Sequence, residues 1–183
     1  MDKTAVFVDA GYLLAASAAL LTGSSARSNI TISHQGLVSS LIDLAECHSN
    51  LPLLRVYWYD GAKDAVPTQE HLVLARLPSV KLRLGRMTQH GQKGVDSLIV
   101  LDLVTLAQER AMTTAYLLSG DEDIREGVAA AQQMGVSVIL LGVPAAGGRP
   151  NQADTLVREA DDQIILDQNV VIDPHIRPIA TQA

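Results

Sequence analysis

The sequence predicts a three-layer α/β/α sandwich around a mainly parallel sheet, on three observations. Short runs rich in Val, Ile and Leu alternate with longer segments whose apolar residues recur at i, i+3 and i+4. The short runs are continuously apolar, the pattern of strands covered on both faces. The length of 183 residues, with 48% hydrophobic and 19% charged, suffices for one domain with a core and excludes a disordered solvating chain.

In chain order the strands fall at residues 4–8, 53–59, 80–84, 115–118, 136–141 and 163–166. Helical spacing covers 35–48, 68–77, 95–112 and 124–134, with Leu98, Ile99, Leu103 and Leu106 as one apolar stripe. Cys47 lies in the first of these helices, where packing accounts for it. Residues 13–21 are nearly apolar, but Asp9 interrupts the run and Asp2 offsets Lys3, so no signal peptide is read there. The segment 142–151, GVPAAGGRPN, is a loop that serves either as a linker or as a flap facing substrate. The domain is expected over 1–168 and a tail over 169–183; from Asp173, with Pro174 and Pro178, that tail packs or frays.

The aspartates carry the chemistry. Asp9 ends the first strand in VFVDA, Asp60 ends the second in VYWYD, and Asp121 and Asp123 follow the fourth in AYLLSGDED. Asp96 opens the longest helix after a glycine in QKGVD. Each suits a turn or a helix cap by itself. In one parallel sheet, however, strand ends and helix starts meet at one rim, where ligands bind. Carboxylates gathered there repel unless protons or cations lie between them. Hard oxygen ligands suit Mg²⁺ or Mn²⁺, and such ions most often handle phosphates.

Composition and motifs narrow the alternatives. Aromatic residues make up 3%, which argues against a surface of stacking rings, and a net charge of −6 argues against a general nucleic-acid coater. One cysteine and no Cys/His cluster of zinc spacing suggest a reducing, cytoplasmic setting. No G-x-x-x-x-G-K-[ST] and no G-x-S-x-G occurs, so Ser119 supports the neighbouring carboxylates instead of acting as a nucleophile. None of His34, His48, His71, His90 and His175 falls in an HExxH pattern, and each is read as surface or packing. Residues 71–95 hold Arg76, Lys81, Arg83, Arg86 and Lys93 with no acid, which leaves nine basic against 20 acidic residues, −11, elsewhere. This strip is either an edge strand kept soluble by charge or a grip on a phosphate backbone.

At these residues the chain resembles the NYN domain family, LabA-like proteins related to PIN nucleases. VFVDAGYL is similar to its first strand, KGVDSLIVLDLVTLA to its central helix, LLSGDEDIREGVAAAQQMGVSVILLG to its third acidic motif, and LVREADDQIIL to its closing segment. The resemblance implies a PIN-like, Rossmann-like fold and a Mg²⁺- or Mn²⁺-dependent ribonuclease whose acids are Asp9, Asp96, Asp121 and Asp123. Asp102 also matches an acid common in the family; six residues of helix turn it about 240° from Asp96, so it is read as supporting or structural. Tyr12 stands where many members have asparagine, and Ala153 where the closing segment often has serine. Tyr12 would stack on a base or replace the amide's hydrogen bond.

The first reading is therefore a cytoplasmic endoribonuclease in which Asp9, Asp96 and Asp121 ligate the metal and Asp123 does so directly or through water. Ser119 orients a carboxylate on the substrate side, Tyr12, Lys81, Arg83 and Lys93 meet the RNA, and a metal-activated water leaves a 5′-phosphate and a 3′-hydroxyl. A second reading is a catalytically weak module that docks RNA or a regulatory protein, or assembles with itself. A third is another phosphotransfer enzyme; Toprim domains use glutamate where Asp9 stands, and haloacid-dehalogenase-type phosphatases need an aspartate where Gly11 stands.

Overall fold

The computed structural model describes residues 2–88 and 91–179, apart from the side chains of 86–88 and 91–93. The chain runs β1 (Thr4–Asp9), α1 (Ala10–Thr22), β2 (Ile30–Ile32), α2 (His34–Ser49), β3 (Leu53–Lys63), α3 (Gln69–Leu74), β4 (Val80–Thr88) and β5 (Gly91–Lys93). It continues with α4 (Val95–Gln108), β6 (Thr114–Leu118), α5 (Arg125–Gln133), β7 (Ser137–Gly142), α6 (Asp154–Glu159), β8 (Asp162–Ile165) and β9 (Ile176–Pro178).

The main sheet has the order β5-β4-β3-β1-β6-β7-β8. Six strands are parallel, and β5 closes antiparallel on the end of β4. Both faces are covered, as continuous apolar strands require. Val6, Val8, Val56 and Trp58 pack under α1 and α2, while Ala5, Phe7, Tyr57 and Tyr59 pack under α4 and α5. The rings of Phe7 and Tyr57 stack at 5.3 Å between centroids.

From β1 the chain builds β3, β4 and β5 outward on one side, and α4 then carries it back to β6 on the other. The carboxyl ends of β1 and β6 flank the reversal of strand order, the place where such sheets open a crevice.

Three features differ from expectation, and a fourth decides between the two alternatives given for the tail. α1 is a helix of the core, with Leu13, Leu14 and Ala18 buried, and it closes at Gly23 in the left-handed conformation. Its Ala- and Leu-rich sequence forms helix readily but has no polar face to reveal the period. β3 runs three residues past Asp60. The tail packs: β9 pairs antiparallel with β2, and the Ser40 hydroxyl and His175 Nε2 are 2.8 Å apart. Cys47, expected to pack, is exposed. No helix among the described residues is long and apolar enough to cross a membrane.

Candidate metal centre

Asp9 closes β1 and caps α1. Its Oδ1 accepts the Tyr12 backbone N–H at 3.2 Å, and its Oδ2 accepts the Ser119 hydroxyl at 2.9 Å. It is 6% exposed, and burial raises its carboxyl above the ordinary range despite those hydrogen bonds, with the Asp121 charge adding to the effect. Asp96 enters from the first turn of α4 and is raised by its burial and by the charges of Asp121, Asp9 and Asp123. Asp121 follows β6 and accepts the Asp123 N–H at 3.0 Å, so the turn at Glu122–Ile124 brings the two carboxylates together.

One oxygen each from Asp96, Asp121 and Asp123 lies within 4.8 Å of the other two. Ligand oxygens facing each other across a Mg²⁺ at about 2.1 Å would lie about 4 Å apart, so the spacing suits one shared ion. The donors are all carboxylate oxygens, with no histidine or cysteine among them, which fits a hard divalent cation better than zinc. Asp9, expected as a direct ligand, is not among these three closely spaced carboxylates, but it lines a pocket of about 470 Å³ with Gly11, Tyr12, Asp96, Gly120 and Asp121, joined by Glu122. Among the described residues no lysine or arginine pairs with any of the four aspartates.

Tyr12 and the segment after β7 shape the wall. The Tyr12 hydroxyl donates to Asn151 Oδ1 at 3.0 Å and accepts the Val143 N–H at 3.0 Å, and burial pushes its pKa up to about 12. The 142–151 loop is therefore tied at both ends to the residue three positions after Asp9. Gly120 lies between: a Cβ there would meet Asn151 O at 2.5 Å and the Tyr12 ring at 2.8 Å. Only a glycine fits that gap. The buried Gln152 donates to Ser119 O at 2.6 Å and Leu141 O at 3.0 Å, tying the ends of β6 and β7. Gln152 and Glu122 were missed by sequence reasoning; Glu122 had a signal in the run GDED, whereas Gln152 had none.

The remaining expectations divide. Ser119 is fully buried and orients Asp9. Asp102 points away from the centre, accepting the Tyr59 hydroxyl at 2.9 Å and Arg83 Nε at 2.8 Å. Arg83 is thus held in an ion pair. Lys81 is exposed on β4, two residues before it, and the Lys93 side chain lies outside the described residues, as does His90. Asp60 does not join the rim. It sits one residue past Tyr59, the register partner of Asp9, so it faces α1 and α2. There Arg27 holds it through two hydrogen bonds of 3.0 and 2.9 Å, and His71 Nε2 lies 3.1 Å away.

Comparison with known proteins adds to this geometry. The family model described as NYN domain matches residues 3–167. An uncharacterized protein, y4oD, of Sinorhizobium fredii (strain NBRC 101917 / NGR234) is 52% identical over 93 residues, 50% of this chain and 42% of that protein. The chain therefore spans less than half the length of that relative. The crystal structure of a protein of unknown function from Vibrio parahaemolyticus RIMD 2210633 superposes with a TM-score of 0.62 at 20% identity, covering 92% of this chain and 94% of that one. That likeness is one of fold.

Proposed function

This chain belongs to the NYN domain family of PIN-like nucleases, and on that premise we propose that it hydrolyses RNA phosphodiester bonds with Mg²⁺ or Mn²⁺ at the aspartate centre. The observation that carries the reading is the convergence of Asp9, Asp96, Asp121 and Asp123 at the reversal of strand order, with no protein cation among the described residues to neutralise them. Buried structural carboxylates are normally paired, and Asp9 and Asp96, raised by burial and by neighbouring carboxylates in one pocket, are instead of the kind found at functional sites.

Asp96, Asp121 and Asp123 hold the ion, which when bound lowers the pKa of a water and offsets charge on the scissile phosphate. Asp9 stands behind them, its carboxylate aimed by Ser119 and the Tyr12 N–H. Tyr12 fixes the 142–151 loop as one wall of the substrate cleft. Lys81 on the β4 edge meets the RNA backbone, with Lys93 nearer the start of α4 in sequence and Arg83 contributing its field from within its pair with Asp102. The single cysteine, exposed on α2, fits action in the reducing cytoplasm.

The test is cleavage of RNA oligomers with Mg²⁺ or Mn²⁺. Chelation by EDTA, or Asp121→Asn, is expected to lower the rate about a thousandfold, the factor that several kcal/mol of lost charge stabilisation gives. Cleavage that survives both overturns the reading. Calorimetry with Mn²⁺ separates the docking alternative, because a chain that binds RNA but no Mn²⁺ at millimolar concentration acts without metal chemistry.

A further inference from the structure

α4 is more apolar than its contact with the sheet requires. Ile99, Leu103 and Ala107 are buried, with Leu98 and Leu106 packed beside them, and that stripe completes the core face. Val100, which packs beside Gly127 of α5, lies with Leu101 and Val104 on another flank, where Leu101 is 59% exposed. Together with Ser97 they line a groove of about 520 Å³ whose remaining walls are Asp96 and Asp123. Asp96, Val100 and Val104 succeed one another at intervals of four, so they share one side of the helix. The groove thus starts at two of the three carboxylates of the metal centre and runs about 12 Å along the helix.

A ligand complementary to this groove carries an anionic group that a divalent cation can bridge to Asp96 and Asp123, and a flat, weakly polar group joined to it. A nucleotide has that form. Resting on the nuclease reading above, we propose that the groove along Val100, Leu101 and Val104 is a nucleobase subsite, which seats the base of a nucleotide whose phosphate is held at the metal centre. A base can lie there only when it is free of a duplex stack, so the preferred substrate is single-stranded. Aliphatic side chains contact the face of a base without reading its edge, and Ser97 is the neutral hydrogen-bonding group on the wall. Discrimination among the four bases is correspondingly weak.

Calorimetry of the full chain in the presence of Mn²⁺ tests this by comparing adenosine 5′-monophosphate with ribose 5-phosphate, which lacks the base. The nucleotide is expected to bind about tenfold tighter. In Leu101→Ser, an exposed position where the fold is not at risk, that ratio falls to about one while ribose 5-phosphate affinity is unchanged; Val104→Thr gives a smaller version of the same loss. Equal affinity of the two ligands for the original chain, or a ratio that Leu101→Ser leaves intact, overturns the subsite alone. Absence of Mn²⁺ binding overturns the metal centre and the subsite with it. A dimer in sedimentation that Leu101→Ser converts to monomer also overturns it, since a second copy then covers the groove.

Discussion

Asp60 and the aspartates of the candidate metal centre lie near the carboxyl ends of adjacent strands, and they differ in what surrounds them. On the α1 and α2 side, Asp60 is 3% exposed and meets Arg27 and His71. Burial alone would raise its carboxyl, but the Arg27 hydrogen bonds and charge, aided by His71, outweigh that and hold it below the ordinary range. On the α4 side, Asp9 has neutral hydrogen-bond partners and Asp96, among the described residues, only its own backbone N–H; both face other carboxylates, and both are raised. Burial is similar for Asp60 and Asp9, so compensation decides the sign. A buried carboxylate that the protein neutralises itself is part of the framework. One left uncompensated is open to an outside cation.

Perturbing each cluster should give opposite signs. The largest effect is expected for Arg27→Ala, which leaves Asp60 buried and short of its main partner: a loss of about 2 kcal/mol in denaturant unfolding, below the value for a fully buried pair because the guanidinium is partly solvated. The metal centre should respond in the other direction. Asp96→Asn in chelator removes repulsion and is expected to raise stability by about 1 kcal/mol while abolishing Mn²⁺ binding. Destabilisation by that substitution would erase the contrast.

pH should separate the clusters in the same way. Asp9 and Asp96 have raised folded pKa values, so the native state binds more protons than the unfolded one, and stability without metal falls as pH rises from the ordinary carboxylate range through those values. Mn²⁺ affinity rises over the same window as the carboxyls ionise. Asp60 has a lowered pKa: its contribution is present above the ordinary carboxylate range and is lost as pH falls through its folded value. Unfolding titrations of the original chain and of Asp96→Asn resolve the two limbs. A smaller effect, about 1 kcal/mol, is expected for Tyr12→Phe, which strands Asn151 Oδ1 and the Val143 N–H. Its signature is faster hydrogen exchange in 142–151 and a higher KM for RNA, with Mn²⁺ affinity unchanged.

Much of the fold was legible because period and apolar continuity are local. All six expected strands correspond to observed ones, four of them to within one residue at both ends while β3 and β4 run four residues further, and the 35–48 and 124–134 helices match to within one residue. α1 was not legible, since its apolar residues surround the helix and give no moment. The long 95–112 helix was expected from its core stripe, yet its second apolar flank was not recognised, because Val100, Leu101 and Val104 look like more core until the packing leaves Leu101 in solvent. Asp60 looked equivalent to Asp9, each the aspartate at the end of an apolar run. They are one register step apart, and in a strand one step reverses the face.

The order of residues sets the kinds of group available: aspartates at the end of β1, after β6 and at the start of α4, a parallel sheet to gather them, and a basic stretch before α4. These follow from the order of residues and the short-range periods of helix and strand. The tertiary structure alone decided which carboxylates share a cleft and which already have a cation. That choice depends on Arg27 reaching Asp60 across 33 residues and on Arg83 reaching Asp102, contacts that exist only when distant segments are packed against one sheet.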